Sequence, residues 1–205
     1  MHLSDFDFEL PAELIAQQPP DVRGGSRLLT LDRSTGAIAH RRFFDLPTLL
    51  SPGDLLVVND TRVFPARLLG RRLPGGGAAE CLLVASTDEP DTWSALVHPG
   101  QRLKPGSRID FGPLQAEVVG RHFHGRRTVK LWTTDGRSVG EVVDEIGHVP
   151  LPPYIARPDE RMDRERYQTI YARARGSIAA PTAGLHFTPA LFEALAARGV
   201  EGASI

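Results

Sequence analysis

The sequence holds a single cysteine, Cys81, in 205 residues. An intramolecular disulfide is therefore excluded, and a cysteine-built metal site is disfavoured. Cys81 lies in the apolar run Cys81-Leu82-Leu83-Val84, where a thiol reads as a small buried hydrophobe rather than a nucleophile. Long apolar runs are missing too: none approaches the ~18 residues a membrane span requires, so no membrane partner is expected. The segment from Met1 to Leu10 alternates acidic and aromatic residues and lacks a basic start followed by an apolar stretch. It does not read as a signal peptide, and a cytoplasmic location is expected. An excess of one charge is also absent, since 24 Lys and Arg face 25 Asp and Glu. Bulk electrostatics therefore announce no polyanion partner, although a local basic surface is enough to hold one.

What is present divides into three regions, 1–62, 63–148 and 149–205. In the first, a short helix is expected around Ala12 to Gln17, with Pro11 suited to its first turn. Ser26 to Asp32 reads as a strand, Ser34-Thr35-Gly36 as a turn and Ala37 to Arg41 as the return strand. Leu55-Leu56-Val57-Val58 is a continuous apolar run typical of a strand buried on both faces. It ends in the polar group Asn59-Asp60-Thr61-Arg62. The second region carries many short β-rich runs separated by turn signals such as Pro74-Gly75-Gly76-Gly77 and Lys104-Pro105-Gly106. That spacing predicts a small antiparallel barrel or sandwich. The third opens on the stiff segment Val149-Pro150-Leu151-Pro152-Pro153. Asp159 to Ala174 is dense in charge and expected to be partly helical. Thr188 and Pro189 then cap and start a helix with an apolar stripe of Leu191, Phe192 and Leu195, stopped by Gly199. Val200 should open a further strand. The fold class expected is an α/β core, incomplete in this chain, interrupted by an inserted antiparallel β-barrel.

Several strings in register resemble one family. Asp5 to Pro11 with Leu14-Ile15-Ala16-Gln17 resembles its N-terminus, and Ser26-Arg27-Leu28-Leu29 and Gly53 to Val57 its next two strands. Asn59 to Val63 with Pro65-Ala66-Arg67-Leu68 resembles its first signature loop. Gly147-His148 with Pro150 to Ile155 resembles the return from its inserted barrel, followed by Arg166 to Thr169. Ala179-Ala180-Pro181-Thr182-Ala183-Gly184-Leu185-His186-Phe187-Thr188 resembles its most distinctive motif. The family is that of the S-adenosylmethionine:tRNA ribosyltransferase-isomerases of queuosine biosynthesis. The resemblance implies a two-domain enzyme that uses S-adenosylmethionine as a ribosyl donor and needs no cofactor or metal. The implied acceptor is 7-aminomethyl-7-deazaguanine at the tRNA wobble position; the implied products are epoxyqueuosine-tRNA, adenine and methionine. A monomer is expected. Family members continue well beyond the position of Ile205, so the chain reads as C-terminally truncated. An inactive remnant or a non-catalytic RNA-binding module built on the barrel is the alternative.

That chemistry needs a base for the ribose carbon beside the sulfonium, a neutral attacking amine, and stabilisation of leaving adenine. An unperturbed histidine has a pKa of ~6.5 and could exchange protons near neutral pH, so His186 is the first catalytic candidate; its other role is a hydrogen bond that merely holds the loop. Asp60, at the end of a strand, could accept a proton or bind a ribose hydroxyl. Asn59, Thr61 and Arg62 lie beside it, with a turn network as the plain alternative. Arg67, in the same signature loop, joins the substrate-contact set. Pro181, Thr182, Ala183 and Gly184 could present backbone N–H groups to an anion, or form an ordinary tight connection. Tyr154 and Tyr167 could stack on a base, Arg166 could meet a phosphate and Gln168 the substrate; packing at the domain junction and a solvated helix are the bland readings. Arg121, Arg126, Arg127 and Lys130 form the most basic cluster, suited either to the RNA backbone or to solubility. His122 and His124 share a face if extended, but lack a third ligand, so no metal site is expected. The polar loops at 59–62 and 179–188 are expected to converge on one pocket.

Overall fold

The computed structural model describes residues 2–205, apart from the side chain of His124. In the N-terminal segment the expected helix is a single tight turn, Ala12–Leu14. Pro19 and Pro20 follow closely, and a segment this short cannot repay the cost of helix nucleation. The hairpin comes next, β1 (Arg27–Leu31) against β2 (Ile38–Arg42), in register from Arg27 opposite Arg42 to Leu31 opposite Ile38. Its turn is held by the Asp32 carboxylate, which accepts from the Ser34 and Thr35 backbone N–H groups at 2.9 Å each. A short helix α1 (Leu46–Leu49) leads to β3 (Leu55–Val58) and β4 (Thr61–Val63).

The chain then builds β5 (Arg67–Leu73), β6 (Ala78–Ser86), β7 (Thr92–His98), β8 (Arg108–Asp110), β9 (Leu114–Arg121) and β10 (Arg126–Thr133). These close into a barrel of order β10-β7-β6-β5-β8-β9. Every neighbouring pair is antiparallel, so no barrel strand is left with an open edge. Side chains alternate in and out along each strand. Leu68, Cys81, Leu83, Ile109, Leu114, Val118 and Val129 are fully buried in its core. Helix α2 (Val139–Ile146) packs Val139, Val142 and Val143 onto the same core. It starts with Ser138 accepting from the Glu141 N–H while the Glu141 carboxylate accepts from the Ser138 N–H at 3.0 Å.

After the barrel come α3 (Asp163–Arg166), β11 (Ala174–Ser177), α4 (Pro189–Ala197) and β12 (Glu201–Ser204). The charged stretch 159–174 is partly helical as expected, in α3 alone, and Tyr167 and Thr169 turn inward to pack after it. β11 runs parallel to β4, and β12 runs parallel to β3. The chain therefore leaves at β4, builds the whole barrel, and returns beside β4. This is an α/β core interrupted by an inserted antiparallel barrel. Two smaller cores serve the return. Val63, Val149, Tyr167 and Ala180 form one; Phe187, Leu191, Leu195 and Val200 form the other.

One expectation is corrected here. β3 is not buried on both faces, since Leu55 and Val57 are 58% and 50% exposed. Leu56 packs on the α4 core while the opposite face is uncovered. The strand expected after Val200 is present: Glu201 to Ser204 pair with β3 through the backbone despite a weak side-chain pattern.

Candidate functional site

A cleft of about 330 Å³ opens between the N-terminal segment, the proline strap after the barrel, and the turn before α4. Tyr154, Arg166, Tyr167, Thr182 and His186 line it together. Five residues singled out in the sequence thus meet in one place, from three separate segments.

The turn Thr182–His186 is a short 3-10 helix. Gly184 is buried in it, and a Cβ there would overlap the Tyr171 hydroxyl and lie 2.8 Å from Thr169 Cγ2. Glycine at 184 is therefore a packing requirement, while Ala183 beside it is exposed. Pro181 and Ala183 do not line the cleft. Thr188 closes the motif by accepting from the Leu191 N–H at 3.2 Å, which caps α4. Phe43 lies against the His186 ring, with centroids 5.1 Å apart.

Arg23 fixes the same turn from the opposite wall. Its guanidinium donates to the carbonyls of Gln168 at 2.9 Å and Leu185 at 3.1 Å. Gly24 follows at φ +84°, where a Cβ would lie 2.9 Å from Phe44 and 3.2 Å from the His186 carbonyl oxygen. Burial holds the His186 imidazole below its usual pKa, and the nearby Arg23 charge adds to the effect. Both effects favour the neutral ring, the state a proton acceptor needs.

The rest of the cleft is stitched by main-chain contacts. Gln17 accepts from the Ala156 N–H at 2.6 Å and donates to the Tyr154 carbonyl at 3.1 Å. Arg166 donates to the carbonyls of Pro20 and Asp21. Arg157 forks onto the Asp163 carboxylate at 2.7 and 2.8 Å, and Asp163 is 3% exposed. That pairing holds Asp163 below the usual carboxylate range. Tyr167 is buried, which raises its phenol pKa.

The remaining sequence candidates fall elsewhere. Asn59 accepts from the Thr61 N–H at 2.9 Å, a local turn. The Asp60 carbonyl accepts from the Arg173 and Ala174 N–H groups at 2.7 and 3.2 Å. Arg62 lines a second cleft with Gln168, Arg164 and Arg175. The expected convergence of 59–62 with 179–188 on one pocket is thus not found: the two clefts share only Asp163 and Tyr167 as a common wall. The cause is visible in Gln168, whose side-chain amide bridges the Val63 backbone, accepting at 3.1 Å and donating at 2.6 Å. It ties β4 to the outer side of the Tyr167 turn. Arg67 is paired with Glu80 at 2.8 and 2.9 Å and faces a third cleft.

On the barrel, Arg121, Arg126 and Lys130 are exposed. Arg127 is 4% exposed and corrects the expected cluster. It donates to the carbonyls of Leu103 at 3.0 Å and Gly100 at 2.7 Å. On β10, Arg127 shares the inward face with Val129 and Leu131, and that two-residue alternation was a signal in the sequence. The Arg157–Asp163 pair and Arg23 carry no comparable signal.

A family model described as queuosine biosynthesis protein matches residues 3–205. The chain belongs to the queuosine biosynthesis protein family. Its curated relatives in that family include the S-adenosylmethionine:tRNA ribosyltransferase-isomerases of Symbiobacterium thermophilum, 53% identical over 98% of this chain and 58% of its own length, and of Heliobacterium modesticaldum, 49% identical over 100% and 59%. A solved S-adenosylmethionine tRNA ribosyltransferase of Thermotoga maritima is 36% identical over 98% of this chain and 56% of its own, with a TM-score of 0.38. The queuosine biosynthesis chain described here therefore spans less than two thirds of the curated relatives it matches. Among its described residues, no helix is long and apolar enough to cross a membrane.

Proposed function

We propose that the chain transfers and isomerises the ribosyl moiety of S-adenosylmethionine onto 7-aminomethyl-7-deazaguanine at the wobble position of tRNA. Epoxyqueuosine-tRNA, adenine and methionine are the products, with no further cofactor, in a cytoplasmic monomer. The names of the relatives support the reaction class. The observation that carries the placement is the gathering of His186, Tyr154, Tyr167, Thr182 and Arg166 around one cleft of about 330 Å³, large enough for a nucleoside.

Neutral His186 suits removal of the proton from the ribose carbon beside the sulfonium, whose positive charge acidifies it. Tyr154 and Tyr167 offer faces for the adenine or for the sulfonium charge. Arg23 and Arg166 place positive charge at the rim, suited to the methionine carboxylate or an RNA phosphate. In the second cleft Arg62 and Arg164 add positive charge, while Arg175 is paired with Asp144 at 2.7 Å. Asp60 is not among the residues of the donor cleft, so the proposal gives it no proton-transfer step.

The test is adenine release from S-adenosylmethionine in the presence of precursor-bearing tRNA. The chain should release adenine, and His186→Ala should slow release by about a hundredfold or more, the usual contribution of a general base. Unchanged release in His186→Ala would remove His186 from the chemistry. No release from the wild-type chain would remove the activity.

A further inference from the structure

The third cleft, about 600 Å³, lies between the barrel wall at Arg67, Leu69 and Leu82 and the segment 148–159. It contains a positioned histidine that the proposed chemistry does not use. His148 Nδ1 meets Asp159 Oδ1 at 2.8 Å, and Asp159 Oδ2 accepts from the Val149 N–H at 2.9 Å. The Asp159 side chain is 10% exposed while that of His148 is 40% exposed. A carboxylate can only accept, so in the neutral ring Nδ1 carries the proton and Nε2 is left as an acceptor. The backbone fixes the ring as well: His148 and Arg67 exchange both N–H···O bonds, at 2.8 and 3.2 Å.

Two further features narrow what this cleft would take. Its charges are already matched, Arg67 by Glu80 and Arg157 by Asp163. A phosphate or carboxylate would find no cation without a partner carboxylate, whereas a flat, weakly polar ligand would meet the proline and aliphatic walls without penalty. The cleft also backs directly onto the donor cleft: Leu151, Pro152, Ile155 and Arg157 line both. The two clefts thus have the strap as a common wall.

We propose that this third cleft binds an unpaired nucleobase of the RNA substrate, next to the base modified at the donor cleft, with His148 Nε2 accepting a hydrogen bond from an amino or imino group on the base edge. Asp159 is a positioning residue that sets the tautomer. The proposal rests on the RNA-modifying function above and adds a sequence-reading site to it.

The test measures binding of a synthetic anticodon stem-loop RNA to the full 205-residue chain at several salt concentrations, with the loop bases next to the wobble position swapped one at a time. His148→Ala should weaken binding about tenfold, leave the salt slope unchanged, and erase the preference among loop bases. His148→Gln keeps a side-chain acceptor and should restore most of the affinity. Trp93 and Trp132 fluorescence checks that each variant keeps the barrel. Equal loop preference in wild type and His148→Ala overturns the proposal. So does a salt slope lowered by about one, which marks a phosphate contact, and so does failure of the wild-type chain to bind the stem-loop. Loop-dependent binding that needs His148, with no adenine released by the wild type, would defeat the donor-cleft function and leave this site standing. Adenine release with no role for His148 in binding would do the reverse.

Discussion

Burial and the Arg23 charge both disfavour the His186 imidazolium and hold its pKa below the ordinary value. Its titration midpoint, followed by NMR, should lie below the ordinary ~6.5. Arg23→Met should raise it, since the charge is removed while the aliphatic stem remains. A midpoint that does not move would show that Arg23 only ties the turn. Protonation on acidification opposes folding here: the unfolded chain takes up the proton first, so stability falls as pH drops through ~6.5 towards the lower folded value. Gly184 is the second residue-scale constraint. Gly184→Ala should lose about 1–3 kcal/mol in urea unfolding, the usual cost of overpacking. Tyr171→Phe in the same chain should recover part of it by removing the hydroxyl that the new Cβ meets. Additive losses would place the strain elsewhere.

The strap and α3 are held by Arg157 and Asp163, both nearly enclosed. Asp163→Asn should cost about 2–3 kcal/mol, because a charged fork is replaced by a weaker one and Arg157 keeps its charge under cover. Asp163 has a depressed folded pKa, so its contribution is present above the unfolded value of ~3.9 and fades as pH falls through the lower folded value. The wild-type advantage over Asp163→Asn should therefore shrink on acidification, and a constant difference would contradict the ion-pair account. Much of this element-scale organisation was legible in the sequence. The hairpin at 27–42, the cap at Thr188 and the many-stranded middle region follow from turn chemistry and apolar alternation, which are local. The position of Arg127 was legible too, had the alternation of Val129 and Leu131 been carried one step back. What the sequence hides is the joining of distant segments. Arg23 meeting Leu185, Gln17 meeting Ala156 and Gln168 bridging Val63 rest on side chain to backbone bonds between segments far apart in sequence, and such bonds leave no periodicity.

At the scale of the whole molecule, the barrel holds most of the fully buried side chains and the core around it is less enclosed. Cys81 reports on the barrel: it is fully buried, and burial pushes its thiol up to about 12. A thiol reagent should label it only as fast as the barrel opens, with labelling suppressed by orders of magnitude relative to the unfolded chain. Fast labelling in native buffer would mean that the barrel is not closed. The donor cleft lies outside that unit, where the N-terminal segment, the strap and the 182–186 turn meet. The most direct measurement is therefore an amide and histidine NMR titration of the chain with S-adenosylmethionine. Saturable shifts should gather at Arg23, Tyr154, Tyr167, Thr182 and His186 and leave the barrel strands unmoved. Shifts confined to Arg62, Arg164 and Arg175 at the second cleft, or none at saturating ligand, would contradict the placement of the donor.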